Sequence, residues 1–263
     1  MPKALWQNHS LIFQLTWRDI SGRYRGSLFG LGWSFINPFL MLIVYTFVFS
    51  VLFKARWGIE GEDNKSVFAV ILFVGLICHS FLAEILMGSP ALIRSNVNYV
   101  KKVVFPLEVL SVVTLLSALF HSLMSFCVLM IVVLALNGFI HWTAIIAPII
   151  FLPLVVLALG LSWILASIGT YFRDISQAIG IITTLLLFLS PVFYPISIMP
   201  EQYQVFFLIN PLTFIIEQAR LVLLDGVMPD WKGLGLYSVA SLLVAQIGYW
   251  WFQRTRNGFA DVL

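Results

Sequence analysis

Charge is scarce in this chain of 263 residues: charged residues make up 10% of it, against 60% hydrophobic residues and a mean hydropathy of +0.98. A soluble globular domain carries about 25% charged residues, so an ordinary water-soluble fold is excluded and an integral membrane protein is required. Cysteine is almost absent. Cys78 and Cys127 both fall inside apolar stretches, which argues against a disulfide framework and for two small buried hydrophobes. No Gly-rich stretch ends in Gly-Lys-Ser/Thr, so the chain has no P-loop with which to bind and hydrolyse ATP. The net charge of +3 is too small, and its cations too scattered beside apolar runs, to suit nucleic acid. Low-complexity linkers and tandem repeats are missing too. The triplet Arg-Asp-Ile recurs at Arg18 and Arg173, but three residues do not establish a duplication. One membrane domain over residues 1–263 is the expectation.

What the sequence has in quantity is apolar runs. A spanning helix needs about 20 mostly apolar residues, and six stretches qualify: Trp33–Phe53, Val67–Met87, Leu107–Asn137, Thr143–Thr170, Ala178–Tyr194 and Leu234–Phe252. The first follows four basic residues and lacks a short h-region with a cleavage site, so it reads as a retained span. The third and fourth are long enough to tilt or project. The fifth is at the short limit and runs into Pro191 and Pro195. Leu212–Leu224 is shorter still and carries Glu217 and Arg220. It is expected to re-enter or to lie at the interface.

Six spans put both termini on one face. That face then holds Lys3, Arg18, Arg23, Arg25, Arg94, Lys101, Lys102, Arg173, Arg254 and Arg256, while Lys54, Arg56, Lys65, Arg220 and Lys232 lie on the other. Ten cations against five make the first face cytoplasmic. The expected fold is all-α, with six transmembrane helices, an N-terminal amphipathic interface helix and short outward-facing helices before the last span. Its parts are residues 1–32 (interface helix and loop), 33–194 (spans one to five), 195–230 (outer helices) and 234–252 (span six).

Several stretches offer chemistry. Leu5–Tyr24 places Leu11, Ile12 and Leu15 at helical spacing, with Trp17 and Tyr24 as interfacial anchors and Arg18, Asp19 and Arg23 as polar partners. This suits a helix in the headgroup plane, with a plain positive-inside anchor as the alternative. Gly22, Gly26, Gly30 and Gly32 make a loop whose amides can approach phosphate, beside the cations Arg23 and Arg25. Ser89–Lys102 is long enough for a short helix parallel to the membrane, with a solvated basic loop as the alternative. Aromatics crowd span one, including Phe39, Tyr45 and Phe49, and the end of span five, at Phe188, Phe193 and Tyr194. Flat rings can pack on sugar faces, and lipid-facing rings are the alternative. Pro191, Pro195, Pro200 and Pro211 break the chain into two short outer helices, 198–209 and 212–224. Glu84 lies about 25 Å along span two, near the cytoplasmic interface, where a cation from a basic loop is its expected partner, with a cavity-lining role as the alternative. His79 and His121 near mid-span raise a haem-binding membrane protein, and a membrane-embedded transferase is a second alternative. Neither has an accompanying signature, and histidines often hydrogen-bond neighbouring membrane helices.

Two blocks carry a family likeness. Arg18, Asp19, Arg23, Tyr24, Leu31, Gly32, Trp33, Asn37 and Pro38 form the first; Tyr171 through Ile175, Ser190 through Pro195, Asn210, Pro211, Glu217, Arg220, Gly226 and Pro229 form the second. The chain resembles the membrane subunits of ABC exporters that move lipid-linked polysaccharide of the O-antigen, capsule or teichoic-acid type, the type-2 ABC permeases. The resemblance implies a homodimer in the bacterial cytoplasmic (inner) membrane, driven by two copies of an ABC nucleotide-binding subunit. That partner would bind ATP and magnesium, so no cofactor or metal is expected here and the permease is no enzyme. The implied cargo is an undecaprenyl-pyrophosphate-linked glycan. The resemblance further implies a lipid headgroup and cytoplasmic gate at Arg18, Arg23, Tyr24, Arg25, Leu31, Gly32 and Trp33, and a channel lined by the aromatics of spans one and five. Coupling to the ATPase falls to Arg94, Tyr99, Lys101 and Lys102, and a periplasmic gate to Pro195, Asn210, Pro211, Glu217 and Arg220.

Overall fold

A computed structural model describes residues 7–48, 65–101, 105–196, 200, 202, 204, 207 and 209–263. Among them there is no strand. The principal helices are α1 (His9–Arg23), α2 (Trp33–Tyr45), α3 (Lys65–Gly88), α4 (Leu92–Ser95), α5 (Val97–Lys101), α6 (Glu108–Asn137), α7 (Ala147–Tyr171), α8 (Ile175–Phe188), α9 (Pro211–Arg220), α10 (Trp231–Thr255) and α11 (Phe259–Val262). Five helical stretches are long and apolar enough to cross a membrane: Gly30–Val48, Phe68–Ser95, Glu108–Asn137, Trp142–Tyr171 and Trp231–Val262. The chain is a multi-pass, all-helical membrane protein. The fifth stretch expected from the sequence appears as α8, 14 residues or about 21 Å long, short of a hydrocarbon core of about 30 Å.

The helix α3 is the hub. It packs on α2, α6, α7, α8 and α9, and nearly every side chain from Phe68 to Leu86 is buried. Such a run reads as hydrophobic all round because protein surrounds it on all sides. By contrast α2 exposes Phe35, Phe39, Leu40, Met41, Ile43 and Val44, and α8 exposes Ile181, Ile182, Leu185 and Phe188.

The most intimate crossing is α7 on α10, built on missing side chains. A Cβ on Gly160 would stand 2.6 Å from the Ala245 Cα, and one on Gly248 would stand 2.3 Å from the Gly160 carbonyl oxygen. In lipid there is little hydrophobic drive to join two apolar helices, so close backbone packing of small residues supplies the attraction. Toward one end of this pair Ser167 Oγ meets Thr255 Oγ1 at 2.7 Å, Tyr171 donates to the Thr255 carbonyl, and the buried Trp163 donates to the Glu108 carbonyl at 3.1 Å.

That end also holds the segment joining α3 to α6. Pro90 presses on Gly169 so closely that a Cβ there would fall 2.2 Å from the Pro90 carbonyl oxygen. Arg256 pairs with Glu108 at 3.5 Å, and Phe259 is fully buried. The opposite end holds His141, Gly226 and the start of α10 at Trp231. Gly226 there takes φ +69 against the His141 ring, which only a residue without Cβ accommodates.

Candidate functional site

The amphipathic N-terminal helix forms as the spacing of its apolar residues expects, with a different placement. Ile12 and Leu15 share a core with Leu107, Val109, Leu110, Val112, Val113, Trp163, Phe252 and Phe259, while the far end of α1 reaches His121 on α6. The helix therefore runs lengthwise along the first half of α6, because that face buries its apolar stripe. Phe13 and Trp17 on the other side stay exposed, whereas Tyr24, the second expected anchor, is half-buried.

Three charged groups meet where α1 ends. Arg23 Nη1 lies 2.6 Å from Glu84 Oε1, and its Nη2 lies 3.8 Å from Asp19. Glu84 is also held by His121 Nδ1, at 3.0 and 3.2 Å from its two oxygens. The Tyr24 ring stands edge-on to His121, centroids 6.1 Å apart. Partial burial pushes the Tyr24 hydroxyl above its ordinary range, so the phenol stays neutral. Glu84 thus has a cationic partner as expected, supplied by the last residue of α1 rather than by a loop, together with an imidazole that the sequence did not assign. The signal was present: Glu84 and His121 are ionisable groups set inside apolar spans, and such groups require partners. His79 instead meets the Thr183 carbonyl on α8 at 3.0 Å. Each ring therefore spends a nitrogen on a different neighbouring helix.

The loop after α1 corrects one expectation. Gly26 and Gly30 take φ +84 and +49, as a glycine-dependent turn requires. The amides of Tyr24, Arg25, Ser27, Gly30 and Gly32, however, donate to carbonyls of the same turns. The nearby cations are side chains, with Arg25 exposed and Arg23 engaged by Glu84. Leu28, Phe29 and Leu31 are exposed, and Phe29 stands edge-on to Trp33 at 5.6 Å.

The stretch between α3 and α6 is folded onto the bundle. Ile93 is fully buried, while Leu92, Tyr99 and Val100 pack against the core that holds α1. Tyr99 stacks on Phe105 with centroids 4.4 Å apart and receives a hydrogen bond from Arg18 at 3.2 Å. Arg94 is half-buried and Lys101 exposed. Lys102 lies outside the described residues. The solvated-loop alternative does not describe this segment.

On the opposite end, α9 is sunk into the bundle, with Leu212, Ile215 and Ile216 fully buried. Asn210 caps it, accepting from the Leu212 amide and donating to Ser190 Oγ at 2.9 Å, and Pro211 takes the first helical position. Arg220 is buried and donates to the carbonyls of Ile71 at 3.0 Å and Val192 at 3.1 Å. Glu217 is half-buried, one turn earlier. Tyr237 donates to the Pro211 carbonyl, and Gln218 accepts from the Asp230 amide. Pro195 is half-buried after α8; most of 197–208, including the first of the two expected outer helices, lies outside the described residues.

Of the aromatics assigned to a channel, Phe39 and Phe188 are 44% and 58% exposed, whereas Tyr45, Phe193 and Tyr194 are half-buried. Phe193 leans on Phe188 with centroids 6.0 Å apart, and Tyr194 hydrogen-bonds the Phe188 carbonyl. Phe49 lies outside the described residues.

An amphipathic helix is tied to a folded loop at one end of the apolar bundle, and a helix carrying the buried Arg220 lies at the other. The family described as ABC-2 type transporter matches residues 10–224. The chain belongs to this family. ABC-2 membership implies an ABC ATP-binding partner. The chain is 26% identical over 263 residues to the O-antigen export system permease protein RfbA of Myxococcus xanthus, covering 99% of this chain and 98% of that one. It is 25% identical over 255 residues to the RfbA of Klebsiella pneumoniae, covering 96% and 95%. To the polysialic acid transport protein KpsM of Escherichia coli it is 23% identical over 234 residues, 88% of each chain.

Proposed function

We propose that this chain is the permease half of an ATP-driven exporter that carries undecaprenyl-linked polysaccharide across the bacterial cytoplasmic membrane. The observation that carries the reading is similarity over nearly the whole length to O-antigen export permeases. Two copies enclose the channel and two ABC subunits drive it. The cargo is a glycan of the O-antigen, capsule or teichoic-acid type, a reading supported by relatives named for O-antigen export and for polysialic acid transport.

In this reading six spans cross the membrane, with α8 as the fifth, and both termini are cytoplasmic. Support comes from α8 leading, through the segment after it, to Val192, whose carbonyl meets Arg220 at the end opposite Arg256. Residues 1–32 form the interface helix and gate loop, 33–194 the first five spans, 195–230 the outer gate and 234–252 the last span. The headgroup enters beside Arg18, Arg23, Tyr24, Arg25 and the Leu31-Gly32-Trp33 turn. The ATPase docks on α4 and α5, at Arg94, Tyr99, Lys101 and Lys102. Pro195, Asn210, Pro211, Glu217 and Arg220 hold the outer gate.

Deletion of the gene tests it. The expected result is loss of surface glycan with accumulation of lipid-linked polymer inside the membrane, and co-purification of the tagged permease with an ABC ATPase. Unaltered surface glycan in the deletion strain would reject the reading.

A further inference from the structure

Arg23 is a cation offered to an anionic headgroup, yet its guanidinium is already occupied by Glu84 at 2.6 Å. The carboxylate is clamped between two elements. His121 Nδ1 on α6 holds it at 3.0 and 3.2 Å, and α6 packs directly on α3, which carries Glu84. The other clamp, Arg23, is the last residue of α1.

We propose that Glu84 is an internal stand-in for the cargo's anionic headgroup: it occupies Arg23 in the empty transporter, and a lipid phosphate displaces it and frees the end of α1 from α3. The proposal rests on the reading of α1 and its loop as the lipid-entry gate.

Accessibility sets the order of events. The side chain of Arg23 is 42% exposed, against 22% for Glu84 and 18% for His121. A ligand can therefore reach the cation while the carboxylate stays inside. A guanidinium accepts a carboxylate or a phosphate by the same fork geometry, and a pyrophosphate brings more negative charge than a carboxylate. Exchange does not strand Glu84, because both its oxygens already face His121; an unpaired buried carboxylate would otherwise oppose release. Arg25, exposed two residues on, supplies a second cation to the arriving phosphate. Tyr24 stands edge-on to His121 and, being next to Arg23 in the chain, would leave with it. A lipid whose headgroup carries no net negative charge gains nothing over the carboxylate, so Glu84 makes the gate selective for lipids whose phosphate charge is left unbalanced.

The test is a spin-label distance in the complete transporter, in phosphatidylcholine nanodiscs with or without undecaprenyl phosphate, after replacing both native cysteines by alanine. Labels go at Gly22, where an added Cβ meets nothing within 4 Å, and at Met87, which is 58% exposed. With doubly labelled copies diluted into unlabelled ones, the expected wild-type result is one short distance in phosphatidylcholine and a longer population with undecaprenyl phosphate, with undecaprenol giving no change. Glu84→Gln should show the longer population without the phosphate lipid and respond to about tenfold less of it. Glu84→Asp, one methylene shorter, should fall between the two and serves if the glutamine variant does not insert. A wild type that responds while both variants behave identically to it overturns the stand-in role and leaves the gate intact. A distance unaffected by undecaprenyl phosphate in every variant removes the gate reading, and the proposal with it.

Discussion

Arg18 and Tyr99 are joined by a hydrogen bond of 3.2 Å across 81 positions of sequence. The bond ties the helix assigned to the lipid headgroup to the loop assigned to the ATPase. Tyr99 is itself fixed by its stack on Phe105, and both α1 and this loop rest on the core around Val109 and Val113. A displacement of the loop by a docked partner therefore has a short mechanical route to α1.

Tyr99→Phe isolates that link, because it keeps the ring on Phe105 and removes only the hydroxyl. A partly exposed bond of this kind contributes about 1 kcal/mol, or a factor of about five in an equilibrium. Membrane level and basal ATPase activity of the complex should not change, while stimulation of ATPase by lipid-linked glycan should fall by about that factor. Equal stimulation of variant and wild type would assign coupling to another contact.

What was legible in the sequence followed from period and composition. The expected spans at Val67–Met87 and Leu107–Asn137 match α3 and α6 to within a few residues, because apolar runs bounded by Gly, Pro or charge have few alternatives. Asn210-Pro211 announced the start of α9 for the same local reason. The packing partner of α1 was not legible, since periodicity identifies an apolar face and says nothing of what covers it. That Glu84 needs a cation was legible, but which residues meet it was not, because Arg23 and His121 lie 61 and 37 positions away. The glycine seam between α7 and α10 needed the crossing point of two helices, which a single chain of letters does not contain.

Gly248→Leu should prevent assembly of α7 on α10. Its Cβ would fall 2.3 Å from a backbone oxygen of Gly160, so no side-chain rotation relieves the clash and the cost exceeds the ~1–3 kcal/mol of ordinary overpacking. Gly235→Leu on the same helix, where an added Cβ meets nothing within 4 Å, should be tolerated. Detergent-extracted yield of monodisperse protein separates the two, and normal recovery of both would discredit the seam.

Arg220→Met should loosen the outer end of the bundle. Two hydrogen bonds from a charged donor are lost, to Ile71 and Val192, each contributing about 1.5–3 kcal/mol in a buried setting. Lysine restores the charge without the planar fork and should recover only part of the loss. Thermal unfolding in detergent, followed by tryptophan fluorescence, should rank wild type above Arg220→Lys and that above Arg220→Met. Identical midpoints would mean that these bonds do not hold α9 in place.

Cysteines at Ser95 and Arg256, in a background lacking the native pair, should react only with reagents admitted to the cytoplasm. One at Asp230 should react only from outside, as an odd number of crossings between Ser95 and Asp230 requires. The excess of cations on the Arg256 side motivates the assignment. Labelling of positions 230 and 256 from one side would exclude α10 as a membrane crossing.

The last prediction separates rings that guide glycan from rings that merely meet lipid. Phe39 on α2 and Phe188 on α8 are 44% and 58% exposed, so neither is a core residue whose truncation would leave a large cavity. Leucine at both positions keeps the membrane face apolar and removes only the flat surface on which a sugar face can rest. Insertion and protein level should therefore stay normal while export declines, with intracellular lipid-linked polymer rising in step. Aspartate would blur the comparison by adding about 2.5–3.5 kcal/mol to the insertion of a mid-membrane residue. Ile181 and Leu185, exposed on the same helix at 64% and 52%, provide the control: exchanging them for alanine removes comparable apolar surface without touching a ring. Loss of export in the leucine pair but not in the alanine pair places the glycan path along these aromatics, whereas full export in the leucine pair at normal protein level assigns both rings to lipid.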